Sequence, residues 1–557
     1  LNGLTAKLFF EFALTLSCSV LLSVFISLTL SPVMSMYLLS GNMHSSGRSL
    51  KKVIDYCFMK LTNYYVMLLK KSWLLRKWVW LILIIFIVSS IVMLSRLPVE
   101  LAPREDQGFL QVIGQVSGFT TSSYLELYGK RLNNMYQKAG FINHFIHINN
   151  IPSLHQFISF VDVGPENKRG SSISFLHDSL QKNLNKLPGA QAIVIEPSSL
   201  PTDGGAPIEY VLKTTLDEKT LMDFAKHLQN DALKSQIFRF VDIDTKFDHS
   251  VLAMKINRPL ADWLNVDLQK MTRNLTWLLG EEKLGWFALR GESYPIILHT
   301  EIEPINFSEV LVRNKNGNLL PLDKFVHLDY LNAPNSLNQF QKMRSVTLSA
   351  AMRPKHYLSE GLEWFEHARE KYQQKNIFSD YAGEARTFLL EKNNNYMLFI
   401  VALIIIWLVL AVHFNSFKTP LVVLLGSLPP TIFSTLLVLF SINESLNIYS
   451  EIGLLTLVGL ISKHGILIVE FALKLQRQQK ISVVSAIQRA AILRLRPILM
   501  TTLAMLFSAL PLVFASGAGA HSRFSLGIVI SSGIFFGTFF TLLLVPAFYY
   551  LIENEER

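Results

Sequence analysis

Cysteine is nearly absent from this chain. The two that occur, Cys18 in an apolar run and Cys57 on an amphipathic segment, exclude a disulfide framework and a thiolate metal site. No phosphate-cradling P-loop, HExxH or Gly-x-Ser-x-Gly is present, so nothing indicates an enzyme or a cofactor. His144, His147 and His155 lie near one another, but no carboxylate or cysteine joins them at ligand spacing, and no metal is expected there. Acidic residues are outnumbered, 42 against 52 basic. The excess sits in two short loops beside apolar runs, a pattern of membrane topology rather than of nucleic-acid binding. The chain opens on Leu with no basic segment and small-residue cleavage site, which reads as a piece of something longer.

What the sequence has in quantity is apolar side chains, 50% of 557 residues. Spanning runs are predicted at 8–39, 78–97, 396–414, 421–440, 452–473, 498–515 and 526–552. The run 452–473, IGLLTLVGLISKHGILIVEFAL, carries Lys463 near its middle. At about 1.5 Å per residue each membrane interface is about 16 Å away, beyond easy snorkelling. A charge at that depth costs roughly 2.5–3.5 kcal/mol, and such residues are usually paired and functional. Adjacent Pro429 and Pro430 predict a kink in the run 421–440, and Gly527, Gly533 and Gly537 predict close packing in the last one. The segment 49–73 sets Lys51, Lys52, Lys60, Lys70 and Lys71 among apolar residues. It reads as a basic amphipathic helix on a membrane surface or, alternatively, as one packed on protein.

Between 98 and 395 no run spans, and about 300 residues suffice for two or three modules. Strands are predicted at 108–116, 144–149, 156–163 and 191–196, with helices at 121–139 and 172–187, a split β-α-β-β-α-β order. A second such unit opens with strand 208–214, helix 216–234 and strand 238–244, and closes with strand 345–352 and helix 358–374. The material between them, with an Asn-Gly turn in NKNGN (314–318), reads as an insertion.

Loop charge sets the orientation. Residues 44–77 hold eight Lys/Arg against one acid, and 474–496 hold six against none. Placing both in the cytoplasm puts the large soluble region outside and the C-terminus inside.

Lys463 has no well-placed carboxylate in its surroundings: Glu470 is seven residues along the same run and Glu11 near the outer end of the first. Arg494 and Thr501, seven apart, fall on one helical face of the next run. Arg494 could tune the field that protons feel or simply anchor the helix with Arg496; Thr501 could bond a carboxylate or water, or its own helix backbone.

GLISKHGILIVEF (459–471) and RLRPILMTTLA (494–504) resemble the resistance-nodulation-division family of proton-driven exporters, in its hydrophobe/amphiphile efflux branch. LPVELAPREDQGFLQV, KINRPLADWLNVDLQ, SGAGAHSR and VPAF extend the resemblance over essentially the whole chain. It implies an α-helical membrane protein with an α+β periplasmic region: seven transmembrane helices, two split βαβ porter subdomains and an inserted docking subdomain. The divisions expected are spans at 1–40 and 76–97, an amphipathic helix at 41–75, porter segments at 98–200, 201–245 and 341–395, a docking insertion at 246–340, five spans at 396–552 and a tail at 553–557. The resemblance further implies the C-terminal half of a proton-driven multidrug antiporter, with Lys463, Arg494 and Thr501 as the second-half members of the proton relay. The paired aspartates that answer the lysine would lie in a missing N-terminal half. Ile146, Ile148 and Phe160 match strands that line the substrate pocket, or are ordinary strand-core residues; the loop between those strands, 150–156, is shorter than the family's. Implied partners are the lipid bilayer, amphiphilic small molecules, a homotrimer, a periplasmic adaptor and an outer-membrane channel, driven by proton-motive force. Two alternatives stand beside this: an exporter of metal ions, and a non-transporting membrane remnant of a split or decayed gene.

Overall fold

The computed structural model describes residues 4–39, 48–74, 78–116, 121–151, 155–200, 205–215, 217–247, 249–280, 282–298, 308–334, 336–354, 356–372 and 376–554. Part of the loop 150–156 and of the tail 553–557 therefore lies outside the described residues. Helix α1 (Leu4–Leu39) exposes apolar side chains all round, as a lipid-facing helix does. Helix α2 (Arg48–Leu74) follows, then α3 (Val79–Arg96).

The soluble part begins with β1 (Phe109–Val116), α4 (Ser122–Lys138), β2 (His144–Asn149), β3 (Gln156–Asp162), α5 (Ile173–Leu184) and β4 (Ala190–Ile195), and the strands form one sheet in the order β2-β3-β1-β4. Strict alternation of buried and open positions along β1 gives this sheet one covered face. Then come β5 (Ile208–Thr214), α6 (Glu218–Lys234) and β6 (Phe238–Ile243).

A second compact unit, Thr245–Leu337, contains β7 (His249–Ile256), α7 (Arg258–Trp263), α8 (Leu268–Leu279), β8 (Glu282–Leu289), β9 (Glu292–Leu298), β10 (Leu311–Arg313), β11 (Leu319–Pro321) and β12 (Val326–Ala333). Asn257 and Asp267 cap its two helices through backbone N–H groups. Its core gathers Ala261, Met271, Leu322 and Phe325. The NKNGN stretch makes the expected turn between β10 and β11, with Gly317 at φ 89°.

The chain re-enters the first unit at β13 (Gln339–Phe340), β14 (Met343–Met352), α9 (Leu358–Tyr372) and β15 (Ile377–Ala382). Strands β14, β5 and β15 lie side by side, with β6 and β13 also pairing with β14. The sequence reading has no counterpart to β15, whose six residues close the open edge of β5. Tyr210 and Phe365 stack at 4.6 Å in the core beneath this sheet.

Five long helices complete the chain: α10 (Gly383–Phe414), α11 (Lys418–Ile442), α12 (Ile448–Gln479), α13 (Val483–Val513) and α14 (Ala520–Asn554). Among the described residues seven helices are long and apolar enough to cross a membrane. Helix α10 starts at Gly383, well before the apolar run at 396. The intervening EARTFLLEK is polar but rich in helix formers, so hydropathy misses what propensity continues. Helix α11 runs unbroken through Pro429 and Pro430. Helix α14 packs against α11, α12 and α13. Glycines permit these close approaches: a Cβ at Gly527, Gly533 or Gly537 of α14 would run into Leu512, Leu457 or Thr431 respectively, while one at Gly426 would meet Val545 at 2.8 Å and one at Gly465 would meet Val423 at 2.9 Å. Helix α2 lays one stripe on this bundle: Tyr65 and Leu69 are buried, and the Tyr65 hydroxyl donates to the Leu542 carbonyl at 2.8 Å. Of the two readings for 49–73, packing on protein therefore holds for that stripe, while Tyr64 and Met67 stay exposed.

A short strap, 98–105, ties the ends of the helices together. Leu446 N–H donates to the Pro98 carbonyl at 2.8 Å and Glu100 N–H to Leu446 at 3.1 Å, while Val99 exchanges bonds with Ser359 of α9. The Glu105 carboxylate accepts from the N–H groups of His521 and Ser522 at 3.3 and 2.6 Å, capping α14 with a negative charge. Beside the strap, burial and then the neighbouring Glu100 carboxylate push the Glu384 carboxyl up to about 7. Because the folded value lies above the ordinary 4.5, its stabilising contribution is full below 4.5 and fades as pH rises through about 7. Glu384→Gln, which holds the neutral form, should therefore match the parent in thermal unfolding at pH 5. At pH 8 it should exceed the parent by up to about 3 kcal/mol. An equal offset at both pH values would show the carboxylate charged throughout.

Candidate functional site

Helix α12 is launched by a capping box: Asn447 accepts from the N–H groups of Tyr449 and Ser450, and the Ser450 hydroxyl accepts from Asn447 N–H. This fixes the register that sets Lys463 halfway along the helix. Lys463 is exposed on the outside of the bundle, while Ser462 and His464 on either side are buried. Among the described residues Lys463 has no ion-pair partner. Gly459, one turn earlier, is exposed too, with open space where a side chain would stand, and Glu470 lies exposed further along.

The other two relay candidates separate. The Arg494 guanidinium lies 4.6 Å above the ring of Phe471 on α12, and its Nε is buried without a hydrogen-bond partner among the described residues. Arg496 turns the other way, 5.0 Å over Phe58 and 3.4 Å from Asp55 of α2. The two arginines therefore do different work, with Arg494 facing the lysine's helix and Arg496 holding α2. The Thr501 hydroxyl donates to the Ile498 carbonyl at 2.9 Å, its own helix backbone. That is the local bond open to any helical threonine, and no contact of Thr501 with Lys463 or Arg494 is seen among the described residues.

The sequence reading passed over His464. It is 0% exposed, with Nδ1 3.3 Å from the Thr538 hydroxyl of α14 and Nε2 buried without a partner among the described residues. Its signal was available: an ionisable ring beside a mid-membrane lysine is itself an unusual residue.

The second candidate site is the open face of the first sheet. Ile146 lies opposite Phe160 and Ile148 opposite Ile158 across β2 and β3. Ile146 is 63% and Phe160 40% exposed, whereas Phe157 and Val161, on the other face, are fully buried. Ile146 and Phe160 are thus not core residues; with half-buried Ile113, Ile148 and Ile158 they form an apolar patch on the sheet. His147 bonds Ser159 and Asn149, and His144 pairs with Asp162, so these rings serve the strands. The described residues contain no group of three or more His, Cys, Asp or Glu fit to hold a metal ion. The two faces should respond differently to truncation. Phe157→Ala should cost about 3–5 kcal/mol in thermal unfolding and Phe160→Ala under about 1 kcal/mol; comparable costs would return Phe160 to the core.

Comparison with known proteins bears on the chain as a whole. An uncharacterized transporter of Haemophilus influenzae is 29% identical over 568 residues, covering 100% of this chain and 55% of that protein. The multidrug resistance protein MdtC of Edwardsiella ictaluri and that of Escherichia coli are each 26% identical, again over 100% of this chain and 54% of theirs. The chain spans about half the length of the curated relatives it matches. The profile of the AcrB/AcrD/AcrF family, whose members are transporters and not enzymes, matches residues 1–553, and the chain belongs to that family.

Proposed function

We propose that this chain forms part of a proton-driven efflux pump for amphiphilic compounds in the bacterial inner membrane. The large soluble region faces the periplasm and the C-terminus the cytoplasm, as the basic loops 44–77 and 474–496 favour. The observation that carries the reading is Lys463. A cation halfway along an apolar helix, exposed on the bundle's flank and unpaired among the described residues, suits a site whose carboxylates come from a further bundle. Protonating such a carboxylate weakens its attraction to the lysine, the lysine swings, and the two bundles rock against each other. Arg494, stacked toward α12, would tune the field at the cytoplasmic mouth. Thr501, at the same face, would offer a hydroxyl after releasing its backbone bond. The strap 98–105 and the unbroken helix α10 give the rocking bundle two stiff links to the sheets.

Substrate would meet the apolar patch of Ile146, Ile148 and Phe160, which suits amphiphiles because it supplies area with few fixed polar demands. The likeness to MdtC proteins supports an organic cargo over metal ions. On the family's pattern the working unit is a homotrimer beside a periplasmic adaptor and an outer-membrane channel, and this chain supplies the second half of the relay.

Drug-resistance assays test this. The chain expressed by itself should leave the minimal inhibitory concentration of amphiphilic drugs unchanged. Co-expressed with a matching half that carries paired aspartates, it should raise that concentration, and Lys463→Ala should return it to the level of cells without the pump. Resistance from the lone chain would overturn the relay assignment. Its absence in every combination would make the chain a non-transporting membrane protein.

A further inference from the structure

Opposite the exposed lysine, the buried side of the same helical turn holds a second ionisable group whose hydrogen bonding is unfinished. His464 Nδ1 lies 3.3 Å from Thr538 Oγ1. The Thr538 hydroxyl hydrogen is already committed to the Ile534 carbonyl at 2.6 Å, so Oγ1 can only accept. Nδ1 must then carry the ring hydrogen, and Nε2 is left as a bare lone pair. That nitrogen is buried and has no hydrogen-bond partner among the described residues. Thr502 of α13, 3.4 Å from Thr538, gives its own hydrogen to the Ile498 carbonyl at 2.8 Å and offers none. The polar groups that α13 and α14 present here are thus uncharged, and the charged neighbour is Lys463, next in the helix. A buried acceptor left unmatched is costly, and a proton is one partner it can take, against the cost of burying the charge beside Lys463.

We propose that His464 is a proton-binding group of the membrane bundle. Nε2 is the acceptor, Thr538 fixes the tautomer that frees it, and Lys463 competes with it for charge. The step is a plain protonation: the Nε2 lone pair takes a proton from hydronium, the O–H bond breaking as the N–H bond forms, to give an imidazolium and water, and release reverses it. An imidazolium next to an ammonium in a low-dielectric bundle repels it. The pair therefore holds one positive charge readily and two poorly, which links proton uptake at His464 to whatever engages Lys463. The purpose of the site rests on the proton-driven reading above, but its existence does not.

The experiment is 15N-histidine NMR on the chain in lipid nanodiscs, with the His464 signal identified by its loss in His464→Asn. The expected result is an Nδ1–H tautomer at alkaline pH that converts to the imidazolium on acidification. Thr538→Val should give mixed tautomers and Thr538→Ser the parent pattern. Lys463→Gln should bind the His464 proton at least tenfold more tightly. An Nε2–H tautomer, a ring that stays neutral until the chain unfolds, or a titration indifferent to Lys463→Gln would each overturn the proposal. In the assembled pump, His464→Asn keeps a donor for Thr538 but cannot take a proton, so gradient-coupled export should be lost while the fold is kept. Export at the parent level would overturn the role. Export by the parent that persists when an uncoupler collapses the gradient would instead defeat the proton-driven reading, and the NMR titration would still stand.

Discussion

Hydrocarbon offers no hydrogen-bond partners, and the helical bundle is arranged around that constraint. The hydroxyls of Ser427, Thr431, Ser434 and Thr435 on α11 each donate back to a carbonyl of their own helix. Ser462, Thr502 and Thr538 do the same on the helices around them. Among the described residues of the bundle the exceptions are the Ser531 and Thr541 hydroxyls, Trp407 Nε1, Arg494 Nε and His464 Nε2, and Lys463 has no ion-pair partner. Lys463, His464 and Arg494, the ionisable ones, lie on α12 and on α13 packed beside it. The ionisable groups of the bundle thus meet at one helix pair, α12 and α13.

Short bonded links join these helices to the soluble region. The strap 98–105 bonds the start of α12 through Leu446 and Ile448, caps α14 through Glu105, and meets α9 through Val99. Helix α10 carries β15 directly into a spanning segment without an intervening loop. Both connections are short and hydrogen-bonded, which leaves little slack chain between the helices and the sheets. The buried carboxyls of Glu100 and Glu384 lie at this joint, both raised chiefly by burial.

Much of this could be read from the residues in order. Long apolar runs announce spanning helices because the cost of exposing them to water accumulates over some twenty residues. Alternation and turn chemistry gave the strands and the Asn-Gly hairpin, because each depends on neighbours in sequence. Lys463 was visible because its rarity is local too. The start of α10, strand β15 and the stripe by which α2 packs on the bundle were not visible in the same way. Each depends on a partner far along the chain: β5 for the strand, Leu542 for Tyr65. Thr501 is a further case: spacing puts it on one helical face with Arg494, and of the bonds open to it the folded chain makes the one to its own helix, at Ile498.

The sequence by itself determined the membrane class, the number of spanning runs and the depth of the lysine, because hydropathy and helix rise are properties of a segment alone. Only the tertiary structure decided which side of the first sheet bears Ile146 and Phe160, which arginine faces α12, and that Thr538 stands against His464. Those are facts of distance between elements, and a side chain's partner across a helix interface is set by packing that no local pattern encodes.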